Sequence, residues 1–294
     1  MLYYFLQPLA DQFAAMNLFR YITFRTAGAM VTSIIICLIF GGFFVKLLSR
    51  MQVRETIRAE GPQSHQSKAG TPTMGGLIII MGILVPTLLW ADLSNFFVQI
   101  TIVVTVWLGA LGFLDDYLKV VKKKREGLVG RLKLVGQVSL GALVGVALLY
   151  AAPDSVDYGV SEAPFFKNLE IPWGYFYIPL VVLVITGASN AVNITDGLDG
   201  LAIGLCGICF LTFAGLTYII GRMDYSTYLQ IGHIAGAGEL TVYCGAAMGA
   251  TLGFLWFNAN PAEVFMGDTG ALTLGGVIGT LATLLKQEVL LVVL

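Results

Sequence analysis

Long apolar runs alternate with short polar segments along almost the whole chain. Eight of these runs are about 15 to 20 residues long, close to the length that an α-helix needs to cross the hydrocarbon core of a bilayer. They lie at 26–45, 74–90, 96–114, 134–152, 173–190, 201–220, 240–257 and 271–285, and a ninth begins at Val289 and is cut off at Leu294. The pattern predicts an all-α polytopic membrane protein with about eight complete transmembrane helices plus a truncated ninth, forming a single integral membrane domain over residues 1–294.

The composition supports this prediction and leaves no room for a separate soluble domain. Of the 294 residues, 57% are hydrophobic and 12% are charged, whereas charged residues make up about 25% of an ordinary soluble domain. All four cysteines fall inside apolar runs. Cys206 and Cys209 form a C-x-x-C pair, but no second pair or nearby histidine accompanies them, so packing is favoured over metal binding.

The distribution of basic residues predicts the orientation of the chain. Segments 46–73 and 115–133 hold twelve of the 17 lysine and arginine residues, and such basic loops face the cytosol. Alternation of the spans then places segments 191–200 and 258–270 on the same face, although neither contains a basic residue. All the polar motifs are therefore expected on cytosolic loops, and segment 153–172, on the other face, is predicted to form a small hairpin.

The first motif reads Asn-Ala-Val-Asn-Ile-Thr-Asp-Gly-Leu-Asp-Gly over residues 190–200. It holds Asp196, Asp199 and two side-chain amides, with no basic residue to neutralise them. An uncompensated acidic cluster at a membrane boundary is costly unless a cation joins it. The alternative is a polar turn, in which Asn, Asp and Gly are favoured.

Two further carboxylates, Asp115 and Asp116, close the third apolar run near the predicted C-terminal end of its helix. The helix dipole disfavours carboxylates at that end, and Lys119 is placed to pair with Asp115 across one turn. Because neighbouring side chains point about 100° apart on a helix, the two aspartates are expected to have different roles. The alternative is a solvated helix end with an ordinary ion pair.

Two polar segments add groups suited to phosphate and metal. Lys68 precedes Gly-Thr-Pro-Thr-Met-Gly-Gly, where hydroxyls and free amides near a helix start can bind phosphate, although this is also an ordinary helix entry. Asp268 lies in Gly-Asp-Thr-Gly, and a carboxylate together with substrate phosphates commonly holds Mg²⁺. Phe265 offers a stacking face for a base, or an interfacial anchor. Together the motifs suit magnesium-dependent phosphoryl transfer from a nucleotide-activated donor to a lipid phosphate.

These motifs, in this order and over essentially the whole chain, resemble the bacterial phospho-N-acetylmuramoyl-pentapeptide transferase family, within the polyprenyl-phosphate N-acetylhexosamine-1-phosphate transferases. The resemblance implies transfer of phospho-MurNAc-pentapeptide from UDP-MurNAc-pentapeptide to undecaprenyl phosphate, giving lipid I and UMP. It also implies Mg²⁺ as cofactor, the cytosolic face of the bacterial inner membrane, ten transmembrane helices, a homodimer and no nucleic-acid partner. The family also has a histidine-rich last cytosolic loop and a final span, and the chain stops before either, so we expect a C-terminally truncated form.

Carried onto this sequence, the resemblance assigns catalytic roles to Asp115, Asp116 and Asp268, with Asp268 as the magnesium ligand. It assigns substrate binding to Lys68, Thr73, Lys119, Lys133, Asn193, Asp196, Asp199, Asn258 and Phe265. A single displacement with Asp115 as base and a route through a phospho-aspartyl enzyme both remain open.

Two alternative functions remain. A related N-acetylhexosamine-1-phosphate transferase is one, although Gly-Thr-Pro-Thr-Met-Gly-Gly favours the muramoyl-pentapeptide branch. A membrane transporter is the other, and it is disfavoured because the predicted span interiors lack Asp, Glu, Lys and Arg, which transporters place near the bilayer midplane.

Overall fold

The computed structural model describes residues 2–6, 13–50, 71–122, 127–153, 156–162 and 170–292. Its helices are α1 (Leu2–Leu6), α2 (Ile22–Arg50), α3 (Gly76–Trp90), α4 (Phe96–Val120), α5 (Gly130–Tyr150), α6 (Tyr177–Thr195), α7 (Leu201–Ile220), α8 (Met223–Leu229), α9 (Leu240–Asn258) and α10 (Gly267–Leu284). Short 3₁₀ turns lie at Ala14–Arg20, Gly174–Phe176, Ala237–Glu239 and Leu290–Val292. Strands β1 (Val160–Glu162) and β2 (Glu170–Pro172) pair antiparallel, which confirms the predicted hairpin.

Within the part of the chain that the structure describes, six helical segments are long and apolar enough to cross a membrane. They are Ile22–Arg50, Phe96–Val120, Gly130–Tyr150, Gly174–Thr195, Leu201–Ile220 and Ala237–Asn258. The apolar helix α3 has 15 residues and α10 has 18. The prediction of an all-α, multi-pass membrane protein is confirmed, whereas the number of complete spans stays a prediction.

Helix α10 lies at the centre of the bundle. Every residue from Thr269 to Leu284 is buried, and the helix packs against α4 and α6. Small residues permit this close packing: a Cβ added at Gly275 would lie 2.4 Å from the carbonyl oxygen of Ala188 on α6. The position of α10 therefore depends on direct backbone contact with its neighbours.

A buried ion pair lies at the end of the bundle opposite the first turn of α10. The sequence placed Arg25 outside the first span, but α2 begins at Ile22, so Arg25 lies on its first turn and is 2% exposed. Its Nη1 donates to Oε2 of Glu239 at 2.7 Å, and that oxygen also accepts from the backbone N–H of Asp92 at 3.2 Å. The pairing with Glu239 compensates the positive charge of Arg25, which would otherwise be costly to bury.

Several helices extend beyond the apolar runs that predicted them. Helix α4 continues to Val120 rather than ending near 114, α6 continues to Thr195, and α10 begins at Gly267 rather than 271. Hydropathy detects only the apolar part of a helix, and the polar turns that extend α4, α6 and α10 contain no proline that would end a helix. The prediction that the motifs lie on loops is therefore wrong for Asn193 and Asp268, which are on helix ends, whereas Asp115 and Asp116 lie near the C-terminal end of α4 as predicted.

Candidate active site

Three aspartates converge where the last turns of α4 meet the first turn of α10. One carboxylate oxygen from each of Asp115, Asp116 and Asp268 lies within 4.8 Å of the other two. Asp115 and Asp116 are 2% and 4% exposed, and the side chain of Asp268 is 12% exposed. Grouped carboxylate oxygens are the ligands that hard divalent cations prefer. This acidic cluster can hold a metal ion.

Two glycines let α4 and α10 approach closely enough to form the cluster. A Cβ at Gly112 would lie 2.4 Å from the carbonyl oxygen of Asp268 and 2.6 Å from Cα of Thr269. Gly267 has a φ of +71°, and a Cβ there would lie 2.7 Å from Oδ2 of Asp116. The left-handed conformation and the lack of space both favour glycine at position 267.

Asp116 binds the N-terminus of α10. Its Oδ1 accepts from the backbone N–H of Asp268 at 3.1 Å. Its Oδ2 accepts from the backbone N–H of Thr269 at 2.9 Å and from the Thr269 hydroxyl at 2.6 Å. The first N–H groups of a helix have no partner within the helix, and a carboxylate there also complements the helix dipole. Asp116 therefore caps α10 from another helix and orients Asp268.

Asp115 and Asp268 instead contact two lysines. Lys119 Nζ lies 2.6 Å from Asp115 Oδ2 and 2.8 Å from Asp268 Oδ2, which confirms the predicted pair across one turn of α4. Lys133 Nζ lies 2.7 Å from Asp268 Oδ2 and 3.9 Å from Asp115 Oδ2. Asp115 Oδ1 accepts from the backbone N–H of Leu128 at 2.7 Å. The two adjacent aspartates of α4 thus have different partners.

Three neighbouring side chains determine the charge state of Asp268, which lies ahead of the predicted apolar run that starts at 271. Burial opposes ionisation of this carboxyl, but hydrogen bonds with Asp115, Lys119 and Lys133 hold its pKa well below the ordinary value. Asp268 is therefore ionised at neutral pH.

The Gly-Thr-Pro-Thr-Met-Gly-Gly segment pairs with the chain that leads into α10. The backbone N–H of Phe265 donates to Pro72 at 2.8 Å, and Gly75 donates back to Phe265 at 2.9 Å. Gly76 donates to the carbonyl oxygen of Met266 at 2.8 Å. The expectation that these glycine amides are free for phosphate is wrong, because they hold the two segments together.

Thr73 belongs to the part of this segment that the structure describes. Thr73 is 5% exposed, and a Cβ added at Gly267 would lie 3.0 Å from its hydroxyl oxygen. Thr73 is therefore next to the acidic cluster. Lys68 lies outside the residues that the structure describes, so its predicted role stays a prediction.

Asn258 joins two segments at this end of the bundle. Its Nδ2 donates to the carbonyl oxygen of Val264 at 2.9 Å, and its Oδ1 accepts from the backbone N–H of Gly200 at 3.1 Å. Asp199 Oδ2 accepts a longer bond from the backbone N–H of Ala262, at 3.4 Å. Asn258 is 3% exposed, so its amide braces the chain on either side of it.

The structure thus brings some of the predicted residues into direct contact and leaves others half-buried on separate segments. The residues in direct contact form one cluster around the first turn of α10. They are Asp115, Asp116, Asp268, Lys119 and Lys133. Half-buried residues on the adjoining segments are Asn193, Asp196, Asp199 and Phe265.

Sequence reasoning missed Thr269 and Gly112. The only signal for Thr269 was a hydroxyl directly after Asp268, and its bond to Asp116 of another helix is not evident from the sequence. The signal for Gly112 was a glycine one turn before two aspartates, but its meaning depends on a contact with α10 that the sequence does not reveal.

A buried acid–base cluster at the end of a multi-pass helical bundle defines a membrane protein with a candidate phosphate- and metal-binding site. The model of glycosyl transferase family 4 matches residues 98–286, so the chain is a member of that family. A phospho-N-acetylmuramoyl-pentapeptide-transferase signature matches residues 68–80.

Curated relatives define the branch of the family. The phospho-N-acetylmuramoyl-pentapeptide-transferase of Citrifermentans bemidjiense is 52% identical over 293 residues, covering 100% of this chain and 81% of that protein. The protein of the same name from Geobacter sp. strain M21 is 53% identical with the same coverage. That from Gemmatimonas aurantiaca is 49% identical over 300 residues, covering 99% of this chain and 79% of the relative. The chain belongs to the phospho-N-acetylmuramoyl-pentapeptide-transferase family.

Proposed function

We propose that the chain transfers phospho-MurNAc-pentapeptide from UDP-MurNAc-pentapeptide to undecaprenyl phosphate, giving lipid I and UMP for peptidoglycan synthesis. The observation that carries the proposal is the contact of Asp268 with Lys119 and Lys133 beside Asp115. This arrangement puts carboxylates for a cation and ammonium groups for phosphate at one place. The name of the relatives gives the transferred group, phospho-N-acetylmuramoyl-pentapeptide, and the family resemblance implies the UDP-linked donor and the undecaprenyl phosphate acceptor.

The cofactor proposed for this site is Mg²⁺. The three aspartates supply only hard oxygen ligands, and their oxygens are close enough for small shifts to bring them onto one ion. Asp268 is the proposed ligand, with Asp115 beside it, because the oxygens of Asp116 already accept three hydrogen bonds from α10. When bound, Mg²⁺ would neutralise negative charge on the diphosphate of the donor.

The residues of the chain have separate roles in the proposed reaction. Lys119 and Lys133 pair with phosphate oxygens of the donor once these approach Asp268. Asp115, held by the backbone N–H of Leu128, orients or deprotonates the phosphate of the lipid acceptor. An acceptor oxygen then forms the new bond to the sugar-linked phosphorus, and the bond from that phosphorus to the UMP oxygen breaks. Attack by an aspartate on the same phosphorus, giving a phospho-enzyme, is the rival route.

The remaining predicted residues are proposed to bind the nucleotide side of the donor. They are Lys68, Thr73, Asn193, Asp196, Asp199 and Phe265, with Phe265 near the uracil, and Asn258 supports them through its backbone contacts. We further propose one integral membrane domain in the bacterial inner membrane, with this end of the bundle facing the cytoplasm and two copies forming a homodimer.

The proposal is tested by UMP release from the purified chain in lipid vesicles. Release should require UDP-MurNAc-pentapeptide, a polyprenyl phosphate and Mg²⁺ together, and chelation of the metal should stop it. Release from UDP-N-acetylglucosamine instead would identify a related N-acetylhexosamine-1-phosphate transferase. Uptake of the donor into the vesicles without UMP release would favour a transporter.

The matched control is Asp224→Asn. Asp224 pairs with Arg222 at 2.6 Å, and both side chains are exposed. The variant removes a carboxylate from an ion pair outside the acidic cluster, so UMP release should stay at the wild-type rate. The same substitution at Asp268 should abolish it.

A further inference from the structure

A buried polar network lies one helical turn from the acidic cluster and joins α5, α6 and α10. Gln137 Nε2 donates to Ser189 Oγ at 3.0 Å, and Asn190 Nδ2 donates to Gln137 Oε1 at 3.0 Å. Ser189 Oγ donates in turn to the carbonyl oxygen of Leu272 at 3.0 Å. Gln137 is 1% exposed and Ser189 is fully buried. Both ends of the Gln137 amide are therefore satisfied by α6, and α6 is linked to α10.

On α5 and on α10, the network residue lies one helical turn after a residue of the acidic cluster or its lysines. On α5, Lys133 lies four residues before Gln137, and on α10, Asp268 lies four residues before Leu272. Residues four apart lie on one face of a helix, one above the other. The Lys133–Asp268 ion pair and the network are thus two consecutive layers of contacts between the same helices.

On α6 as well, the network residues lie about one helical turn from a candidate site residue. Asn193, which is proposed to bind the donor, lies four residues after Ser189 and three after Asn190. Asn190 Nδ2 also donates to the carbonyl oxygen of Thr186 at 2.8 Å, which fixes the side chain against its own helix. Each of the three helices therefore carries a network residue next to a candidate site residue.

The rest of the α5–α6 contact is made by close packing at small residues. Deeper in the bundle, α5 meets α6 through glycines: Cβ atoms added at Gly141 and Gly145 would lie 2.8 Å and 3.1 Å from Cα of Val182 and Ile178. Small residues let the two helices approach closely, and hydrogen bonds between side chains of the two helices add directional contacts to this packing. A buried amide with both partners in place has one favourable position, because moving it would leave buried polar groups unsatisfied.

We propose that Gln137 is a positioning residue for the transfer reaction. Together with Ser189 and Asn190 it fixes the register of α5 on α6 and α10, and thereby holds Lys133 Nζ 2.7 Å from Asp268 Oδ2. Gln137 acts through Lys133 and does not touch the substrate. This inference rests on the proposed function, since the transfer rate is what it predicts.

The test is a double-mutant cycle between Gln137→Met and Lys133→Met. Methionine nearly preserves the volume of glutamine and removes its hydrogen bonds. UMP release is measured in single turnovers with enzyme in excess over donor, so that slow rates remain measurable. Gln137→Met should slow release by about tenfold or more in the wild-type background, because small misplacement of a catalytic group has large effects on rate. In the Lys133→Met background it should have less than about a twofold effect.

Melting temperatures separate positioning from stability. Gln137→Met should lower the melting temperature by the same amount in both backgrounds, although its effect on the rate disappears in one. Thr217→Val is the matched control: it removes another buried interhelical hydrogen bond, to Thr241 at 3.0 Å, and should lower the melting temperature without slowing release. Ser189→Ala, a smaller change, serves in the same cycle if Gln137→Met does not fold.

The outcomes distinguish this inference from the proposed function. An equal slowing of release in both backgrounds, or no slowing in an active protein, would overturn the role of Gln137 and leave the proposed function intact. Absence of UMP release from the wild-type chain, extended by the last cytosolic loop and final span that the family carries, would overturn the proposed function and this inference with it.

Discussion

Asp116→Asn is the substitution for which the structure gives the sharpest expectation. Asp116 accepts three hydrogen bonds from the start of α10, two from backbone N–H groups and one from the Thr269 hydroxyl. Hydrogen bonds to a charged group contribute about 1.5–3 kcal/mol each, against about 0.5–1.5 kcal/mol for neutral pairs. The asparagine also loses the interaction of a negative charge with the helix dipole, about 0.3–1 kcal/mol.

The net effect on stability is smaller than these losses, because ionised Asp116 is costly to bury. We expect about 2 kcal/mol of destabilisation, which lowers the melting temperature of a chain of this size by about 4–8 °C. The effect on activity should be larger, since a displacement of Asp268 by about 1 Å can cost about 100-fold in rate. Because Asp268 is the proposed magnesium ligand, the Mg²⁺ concentration that gives the half-maximal rate should rise.

The assay is a Mg²⁺ titration of UMP release, together with thermal unfolding of the same preparations. Thr269→Val removes one of the three hydrogen bonds and should change the Mg²⁺ requirement in the same direction, by about tenfold or less. Asp224→Asn is the control for loss of a carboxylate. If Asp116→Asn slowed turnover while its Mg²⁺ requirement and melting temperature matched the wild type, Asp116 would act on substrate directly and the capping role would be refuted.

Three other substitutions test the remaining parts of the site. Asp268→Asn should abolish Mg²⁺-dependent UMP release while the chain stays folded, as measured by turnover at ordinary Mg²⁺ concentrations and by thermal melting; normal turnover would contradict the metal assignment. Phe265→Ala should raise the KM for the nucleotide donor if the ring stacks on the base, by an amount that corresponds to about 1–3 kcal/mol of binding free energy. A rise only in the KM for the acceptor would place Phe265 away from the nucleotide. Gly112→Ala should lower the melting temperature and slow UMP release, because the added Cβ would lie 2.4 Å from the carbonyl oxygen of Asp268. The overpacking should destabilise the chain by about 1–3 kcal/mol. An unaffected rate would show that α4 and α10 adjust independently of the site.

Hydrophobicity alone predicted where most of the helices lie. The prediction for α7 has the same bounds as the helix, Leu201–Ile220, because a glycine flanks each end of the apolar run. Prediction from hydrophobicity failed at the polar ends of α4, α6 and α10, where the helices continue into segments that a bilayer would not favour. Those additional turns hold Asp115, Asp268 and Asn193, so the error fell on the site itself.

The convergence of the site was beyond sequence reasoning for a different reason. The Lys119–Asp115 pair follows from local spacing, since both residues lie on one helix. The contact of Asp116 with Asp268 spans 152 positions of the chain and depends on how α4 packs against α10. Gln137 likewise reads as an isolated polar residue in an apolar helix, and its partners on α6 become evident only from the packing.

The charge balance of the cluster connects its structure with the proposed chemistry. With all groups ionised, three carboxylates and two ammonium groups leave one formal negative charge, which is small enough for a partly buried site. Binding of one divalent cation would make the same cluster positive by one charge and so favourable for the diphosphate of a nucleotide donor. The lysines would then exchange Asp268 for phosphate oxygens as their partners. This exchange needs Lys119 and Lys133 to begin within reach of Asp268, which is why the register of α4, α5 and α10 matters more to this site than the conformation of any one loop.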